Sequence, residues 1–236
     1  MLELRSRDEI AGADIGWLKA RHHFAIGSHG NPAHGPVGSL YVWNDDEIAP
    51  HSGFPLHHHA NVEIITYVRE GVITHEDSLG NRGRTVAGDV QVMSAGTGIR
   101  HSERNEELVP TRIFQIWIHP RERDGAPRWG SKPFPRSDRS GRFIALASGN
   151  AIDGALPIRA NADVYGAVLL AGTTTEFALH AGGSAYLVPA TGSILVNDER
   201  VEAGEGIAVL EEGVIRIEAV GDAEVVLVET GALRDR

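Results

Sequence analysis

The sequence predicts an all-β chain that folds as two small β domains. Short runs rich in β-branched and aromatic residues are typical of strands, and glycine turns separate them; the chain has 28 glycines in 236 residues. The i, i+3, i+4 apolar spacing of an amphipathic helix is absent from the central region. A gapless internal match aligns Ala87-Gly88-Asp89 with Ala203-Gly204-Glu205, which indicates that the second half repeats the frame of the first.

Composition and charge exclude several classes of function. With a mass of 25.4 kDa, the chain is long enough to bury two small cores. Its formal net charge of −10 and pI near 5.6 give no general attraction for phosphate backbones, so we expect no direct nucleic-acid partner. No apolar run reaches membrane-spanning length and the N-terminus lacks a signal-peptide core, so we expect a cytoplasmic protein without membrane contact. The absence of cysteine limits any metal site to nitrogen and oxygen ligands.

The N-terminal stretch is predicted to support the first domain. Residues 27–38 are rich in Gly, Pro, Asn and His, so we expect a loop in which His29 and His34 are exposed. The following run Leu40-Tyr41-Val42-Trp43 predicts a strand, and Asn44-Asp45-Asp46 its closing turn.

Two pairs of potential metal ligands lie at strand spacing. His57 and His59 flank His58, and His101 stands two positions before Glu103. Residues i and i+2 of a strand share one face, so each pair points to one side while His58 points to the other. Two such strands side by side would bring three imidazoles and one carboxylate around a point, which is a coordination shell for a divalent transition metal.

The residues between these pairs predict further strands and turns. Residues 62–68 and 72–75 are rich in β-branched and aromatic side chains, and Gly71 separates them. Residues 90–93 alternate as a strand does, and the glycine turn at 96–98 leads into the second pair.

This spacing resembles the two motifs of the cupin superfamily. The matching residues are Gly53-x3-His57-x-His59-x3-Glu63-x7-Gly71, then Gly88, then Gly96-x4-His101-x3-Asn105. Two departures are evident. Ser94 or Ala95 replaces the usual proline, and cupins usually take their carboxylate ligand from the position of Glu63.

Longer strings are similar to the pirin family, especially its bacterial members with quercetin 2,3-dioxygenase activity. The strings are Glu76-Asp77-Ser78-Leu79-Gly80-Asn81 and Gly88-Asp89-Val90-Gln91-x-Met93-Ser94-Ala95-Gly96-x-Gly98-Ile99-x-His101-Ser102-Glu103. The resemblance implies two cupin barrels in one chain, a bicupin, with a metal held by His57, His59, His101 and Glu103. It places Glu63 near the site, and the strand parity of Glu63 leaves its role as a ligand open.

The domain boundaries follow from composition. Residues 111–118 alternate over a full strand length and are expected to close the first barrel, which gives an N-terminal domain of residues 1–120. Prolines and arginines in residues 121–142 predict an irregular linker. Residues 143–236 are then the second barrel, and residues 230–236 are expected to be a frayed tail.

The internal alignment predicts that the second barrel has lost the metal site. The paired positions, with the first-half residue named first, are His57 with Ala178, His59 with His180, His101 with Ile217, and Glu103 with Ala219. Three of the four ligand positions are therefore apolar and cannot hold a metal. His180 alone is expected to be a surface or packing residue.

The predicted ligand set suits several ions. Fe(II), Ni(II), Co(II), Mn(II), Cu(II) and Zn(II) all accept imidazole and carboxylate ligands, and the resemblance favours iron. Four protein ligands leave an octahedral ion two positions for substrate or dioxygen. A closed, tetrahedral structural zinc site is the alternative.

The resemblance implies a metal-dependent dioxygenase that converts flavonols such as quercetin to a depside and carbon monoxide. Such a reaction needs a Lewis acid and a base, and Glu103 or Glu63 is expected to accept the hydroxyl proton. His58 is expected to be structural, and His75 is a weaker candidate for substrate contact. The alternatives are a metal- or redox-responsive regulator that binds a protein partner, and a metal-dependent isomerase or hydrolase. Two linked barrels predict a monomer.

Overall fold

The computed structural model describes residues 1–231, and strands make up nearly all of their regular structure. The first strands are β1 (Leu2–Arg5), β2 (Ala11–Asp14), β3 (Leu18–His22), β4 (Leu40–Ile48), β5 (Ser52–His59), β6 (Glu63–Glu70), β7 (Val72–Asp77), β8 (Arg82–Val86), β9 (Val90–Ser94), β10 (Ile99–Asn105), β11 (Thr111–Ile118) and β12 (Arg128–Lys132). A short 3₁₀ turn follows at Arg136–Arg139.

The remaining strands are β13 (Ile144–Ser148), β14 (Leu156–Pro157), β15 (Ala162–Leu169), β16 (Thr174–Ala178), β17 (Ser184–Thr191), β18 (Ser193–Val196), β19 (Glu199–Glu202), β20 (Gly206–Leu210), β21 (Val214–Ala219) and β22 (Ala223–Thr230). The predicted all-β class is confirmed.

The strands form one seven-stranded and one four-stranded sheet in each half of the molecule. In the first half the strand orders are β12-β9-β6-β11-β4-β3-β2 and β5-β10-β7-β8. In the second half they are β1-β20-β17-β22-β15-β13-β14 and β16-β21-β18-β19. Apolar side chains from the two sheets of each half pack together, so each half is a barrel with its own interior.

The two seven-stranded sheets also pack against each other through a shared core. Trp43 and Phe114 of the first half contact each other with ring centroids 5.2 Å apart, and Trp43 lies 5.6 Å from Tyr186 of the second half. The core continues through Tyr67 and Val228, both fully buried. Burial of these large rings ties the barrels together, because aromatic side chains contribute much of the apolar area in such cores.

The N-terminal strand belongs to the second barrel. Strand β1 pairs antiparallel with β20, with Leu2 opposite Val209 and Arg5 opposite Gly206. The predicted N-terminal domain of residues 1–120 therefore includes a strand that the second sheet uses. Leu2 and Leu4 pack against the second core, which gives this short strand its apolar partner.

The predicted linker of residues 121–142 is only partly irregular. Strand β12 pairs with β9 and forms the edge of the first seven-stranded sheet. Pro127 and Pro133 lie directly outside this strand, where the missing N–H disturbs no pairing.

Two expectations for the N-terminal region were wrong. Residues 44–46 do not form a turn; they continue β4 through to Ile48, because their polar side chains have places inside and beside the barrel. His34 is buried, with 8% of its surface exposed, since the loop folds back and Ala25 N–H donates to the His34 carbonyl at 2.9 Å.

The C-terminus also differs from expectation where it is described. Thr230 was placed in a frayed tail, yet it ends β22 and is fully buried. Residues 232–236 lie outside the described residues. None of the helical structure in residues 1–231 has the length and hydrophobicity that a membrane span requires.

Candidate metal centre

The pairing of β5 with β10 brings the two predicted ligand pairs together. His57 lies opposite His101, and the register shifts between His101 and Glu103, so that Glu103 lies opposite Phe54. The extra residue is on β5, beside Pro55, which has no N–H to leave unpaired in the bulge.

Gly53 is required where the two strands meet. Its φ is 150°, and a Cβ there would lie 2.3 Å from the Glu103 carbonyl oxygen and 2.6 Å from Arg104 Cα. Because both are backbone atoms, a larger residue would have to push β10 away. Glycine therefore sets the distance between the two strands that carry the histidines.

Three histidines form a cluster with metal-ligand spacing. One ring nitrogen from each of His57, His59 and His101 lies within 4.8 Å of the others. The His57 and His101 ring centroids are 4.5 Å apart, and those of His57 and His59 are 4.6 Å apart. The structure thus brings together the three imidazoles that the spacing predicted.

The protonation and hydrogen bonds of these rings suit metal binding. His57 Nδ1 donates to the Pro55 carbonyl at 2.8 Å, which leaves Nε2 with a free lone pair. Within residues 1–231, His59 Nε2 and both ring nitrogens of His101 are buried without a hydrogen-bond partner. Burial lowers the pKa of His101 to about 3 and that of His59 to about 4, and neighbouring histidines add to the effect. Neutral, unpartnered imidazoles are the form that binds a divalent ion, so the site fits one.

Glu103 lies in the same cavity but outside the three-nitrogen cluster. Its Oε2 accepts a hydrogen bond from Gln115 Nε2 at 2.7 Å, and its Oε1 accepts one from Thr66 Oγ1 at 2.9 Å and one from Gln91 Nε2. These donors lie side by side on β9, β6 and β11, where Gln91 pairs with Thr66 and Thr66 with Gln115. They fix the orientation of the Glu103 carboxylate.

The spacing of the histidine motifs does not point to these three donors. Each interrupts an apolar strand at an inward position, and that interruption is the signal that could have found them.

The cluster opens into a small cavity between the two sheets of the first barrel. Its volume is about 60 Å³. The lining residues are Asn44, Asp46, Phe54, His57, His59, Ile64, His101, Glu103, Gln115 and Trp117. His101 and Glu103 are each 2% exposed, so the inner part of the cavity is shielded from solvent.

Glu63 does not line the cavity. Its neighbour Ile64 does, and successive residues of a strand face opposite sides. Glu63 Oε2 instead accepts a hydrogen bond from Ser94 Oγ at 2.6 Å. Burial raises the pKa of Glu63, although the Ser94 hydrogen bond acts in the opposite direction. Glu63 does not share the face of His57 and His59, because a turn containing Asn61, with φ 52°, separates β5 from β6.

The other two histidines near the motif also lie outside the cavity. His58 is exposed, as expected for the opposite face of β5. His75 is fully buried beside His101, with ring centroids 5.3 Å apart, and does not line the cavity. Its Nε2 lies 3.0 Å from Asp77 Oδ2, and its ring stacks on Trp129 at 4.7 Å. His75 therefore supports the wall behind His101.

Asp46 lines the cavity, although the sequence predicts a turn at this position. It lies on β4, in the sheet that faces the histidines, and is 1% exposed. Neither carboxylate oxygen has a hydrogen-bond partner in the described part of the chain. Burial raises the pKa of Asp46 well above its usual range, and the charges of Asp45 and Glu103 raise it further.

The corresponding region of the second barrel is apolar. Ile217 and Ala219, which the alignment placed at His101 and Glu103, are fully buried in its core. The upstream alignment was wrong by three residues. The pairing of β16 with β21 puts Thr175 opposite Ile217 and Phe177 opposite Ile215, so Thr175 and Phe177 replace His57 and His59.

His180 lies after β16 and is outside that barrel's interior. Its Nδ1 lies 2.8 Å from Glu229 Oε1, and two thirds of its side chain is exposed (67%). The second barrel therefore has no histidine at the positions that match the cluster.

Comparison with known sequences supports this two-part organisation. The family model of pirin matches residues 3–118, and the model of the quercetinase C-terminal cupin domain matches residues 145–230. A pirin-like protein of Caulobacter vibrioides is 59% identical over 230 residues, which cover 97% of this chain and 99% of that protein. A quercetin 2,3-dioxygenase of Escherichia coli K12 is 35% identical over 228 residues, covering 96% and 97%.

Solved structures agree with the fold. The crystal structure of YhhW from Escherichia coli has a TM-score of 0.94 at 33% identity, and the match covers 100% of each chain. The bacterial pirin YhhW in complex with nickel(II) has a TM-score of 0.92 at 33% identity, covering 98% of this chain and 100% of that one. The two barrels are thus a pair of cupin domains, as the motifs predicted.

Proposed function

The chain belongs to the pirin family, and on this basis we propose that it is a metal-dependent dioxygenase that cleaves flavonols such as quercetin. The observation that carries the proposal is the cluster of three histidine nitrogens within 4.8 Å, in a cavity that also holds carboxylates. The name of the Escherichia coli relative, quercetin 2,3-dioxygenase, supports the substrate class. Dioxygen is the second substrate.

His57, His59 and His101 would hold the ion, with Glu103 as the fourth ligand and Fe(II) as the proposed metal. A divalent ion there supplies Lewis-acid chemistry, and a redox-active one also supplies electron transfer toward dioxygen. A related bacterial pirin was solved in complex with nickel(II), which supports a transition metal as the ion of this protein.

The side chains around the site have separable roles in this proposal. The imidazoles of His59 and His101 stay neutral at physiological pH because burial lowers their pKa. Gln115 and Thr66 hold the Glu103 carboxylate in one orientation, which places its charge at a fixed point of the cavity wall.

The size of the cavity restricts how a flavonol can bind. Pockets that enclose a drug-sized ligand begin at about 300 Å³, whereas this cavity has a volume of about 60 Å³. We therefore expect only the hydroxy-ketone edge of the flavonol to enter. The aromatic rings would remain at the mouth, near Phe54 and Trp117.

The test is oxygen uptake on adding quercetin to protein reconstituted anaerobically with Fe(II). The His101→Ala variant removes a buried ligand, and His58→Ala is the matched control because His58 is exposed on the other face of β5. We expect uptake equal to flavonol loss in the wild type and in the control. The His101 variant should lose both stoichiometric metal and turnover.

Full activity in the His101 variant would contradict the proposal that His101 holds the metal. If the wild type binds stoichiometric iron but shows no oxygen uptake, the proposed dioxygenase reaction is contradicted. The small cavity then favours the second candidate, a metal- or redox-responsive protein that binds a protein partner. Its signature would be a partner affinity that changes on oxidation of Fe(II) to Fe(III) without any organic substrate.

A further inference from the structure

Asp46 occupies an unusual position in the cavity wall. Strand β4 places it between Ala20 of β3 and Ile113 of β11, both buried apolar residues. Its side chain faces the interior of the first barrel and lines the cavity opposite His57 and His101. Only 1% of the residue is exposed, so water at the protein surface does not solvate the carboxylate.

The protein around Asp46 does not compensate for this burial. Both oxygens lack a hydrogen-bond partner among residues 1–231. The charged groups that act on it are the carboxylates of Asp45 and Glu103, and their effect is repulsive. A buried carboxyl group without partners destabilises a fold, and such groups are retained where they serve a site.

The other two carboxylates near the motif are already engaged. Glu103 accepts hydrogen bonds at both oxygens from Gln115, Thr66 and Gln91. Glu63 lies outside the cavity with Ser94. Asp46 is the cavity carboxylate that has no hydrogen-bond partner at either oxygen within residues 1–231.

We propose that Asp46 is a substrate-binding residue that forms a hydrogen bond with the hydroxyl group on the edge of the ligand that enters the cavity. This inference rests on the proposed function and specifies its ligand class: hydroxy-ketones, whose hydroxyl satisfies Asp46 while their oxygens face the histidine cluster. A ligand that lacks the hydroxyl leaves Asp46 unpartnered in a desolvated cavity, and such mismatches cost affinity.

The test measures binding without turnover. Protein loaded with nickel(II) under argon is titrated with 3-hydroxyflavone and with flavone, which lacks the hydroxyl, and the two dissociation constants are compared. The variants are Asp46→Ala and Asp46→Asn, the latter preserving the shape of the side chain. The control is Asp45→Asn, since Asp45 lies next in the chain but pairs with Arg69 outside the cavity.

We expect the wild type and the Asp45 variant to prefer 3-hydroxyflavone. In Asp46→Ala this preference should fall about tenfold or more, as for loss of a hydrogen bond to an ionisable group, with nickel content unchanged. Asp46→Asn should give an intermediate value. An undiminished preference in both Asp46 variants overturns the proposal and leaves the proposed function untouched.

A second readout separates binding from a structural role. Removal of an unpartnered buried carboxyl should leave the thermal midpoint of the metal-free protein unchanged or higher. A lower midpoint in both Asp46 variants would show that the fold needs this carboxyl, and would overturn the proposal. Failure of the wild type to bind either flavone would overturn both this inference and the flavonol substrate, whereas Asp46-dependent binding without oxygen uptake would overturn the dioxygenase reaction alone.

Discussion

At the scale of single residues, burial keeps two imidazoles of the histidine cluster, those of His59 and His101, in the neutral form. An unfolded histidine takes up a proton near pH 6.5, whereas burial lowers the pKa of folded His101 to about 3. Below pH 6.5 the unfolded state therefore binds more protons than the folded state. The free energy of unfolding must fall as the pH is lowered across this window.

This difference gives the first prediction. For the metal-free protein, His101 should lower the free energy of unfolding by about 1 kcal/mol per pH unit as the pH falls from 6.5 to 4. In His101→Phe the free energy of unfolding should fall less steeply with decreasing pH, by that amount. Urea denaturation at several pH values measures this slope. His58→Phe, an exposed neighbour of the cluster, should keep the wild-type slope. An unchanged slope in the His101 variant would mean that His101 takes up its proton over the same pH range in the folded and the unfolded protein.

A second residue-scale prediction concerns the donors to Glu103. Gln115→Leu removes the 2.7 Å hydrogen bond to Glu103 Oε2 and leaves the three histidines in place. Loss of a group that orients a ligand weakens metal binding by about 10- to 100-fold. A competition titration with a chelator measures this change. Wild-type affinity in the variant would show that the Gln115 hydrogen bond to Glu103 does not control metal binding.

At the scale of strands, the site depends on how closely β5 and β10 approach. Gly53→Ala would place a methyl group 2.3 Å from the Glu103 carbonyl oxygen, and φ at this position is 150°. We predict that the variant loses stoichiometric metal and is destabilised, because the backbone of β10 must shift. Metal content per chain and the thermal midpoint are the measurements.

The matched control for this prediction is Gly35→Ala. A Cβ at Gly35 would meet no heavy atom within 4 Å, and Gly35 is exposed. We expect this variant to bind metal as the wild type does. Equal metal content in the two variants would show that the spacing of β5 and β10 does not control the site.

At the scale of the whole molecule, the two barrels are joined by a buried ionic cluster as well as by the aromatic core. Arg139 is fully buried and lies 2.8 Å from Glu224 Oε1 on β22, while its Nη1 donates to the Tyr67 hydroxyl of β6 at 2.9 Å. Tyr67 in turn donates to Glu224. Three parts of the chain therefore share one network between the sheets.

Removal of one charge from this network gives the fourth prediction. Arg139→Ala removes the buried one of the two arginines that pair with Glu224, whereas Arg136 remains 3.1 Å from Glu224 Oε2. The variant should destabilise the protein by about 1–3 kcal/mol. Arg142→Ala is the matched control, because Arg142 is exposed and its guanidinium donates to the Asp138 carbonyl; this variant should have little effect. Urea denaturation followed by fluorescence and by circular dichroism should show one transition. Two separate transitions would contradict a shared core.

Much of the site was predictable because its decisive pattern is local. His57 with His59, and His101 with Glu103, are i, i+2 pairs, and a strand by itself places such residues on one side. The prediction that Glu63 shares a strand face with His59 was wrong, because a turn separates the two residues and the alternation of faces does not continue across a turn. The upstream alignment of the second barrel failed for a similar reason, since only the pairing of β16 with β21 fixes its register.

The sequence by itself determined the all-β class, the order of the two barrels and the three histidines, since each depends on strand alternation, glycine turns and spacing within one strand. Tertiary structure decided which carboxylates face the cavity: Asp46 lines it and Glu63 does not. It also decided that β1 joins the sheet of the second barrel. These outcomes depend on pairing between residues far apart in the chain. Local periodicity sets the side of a strand that a residue occupies, and only the packing of sheets determines what lies on that side.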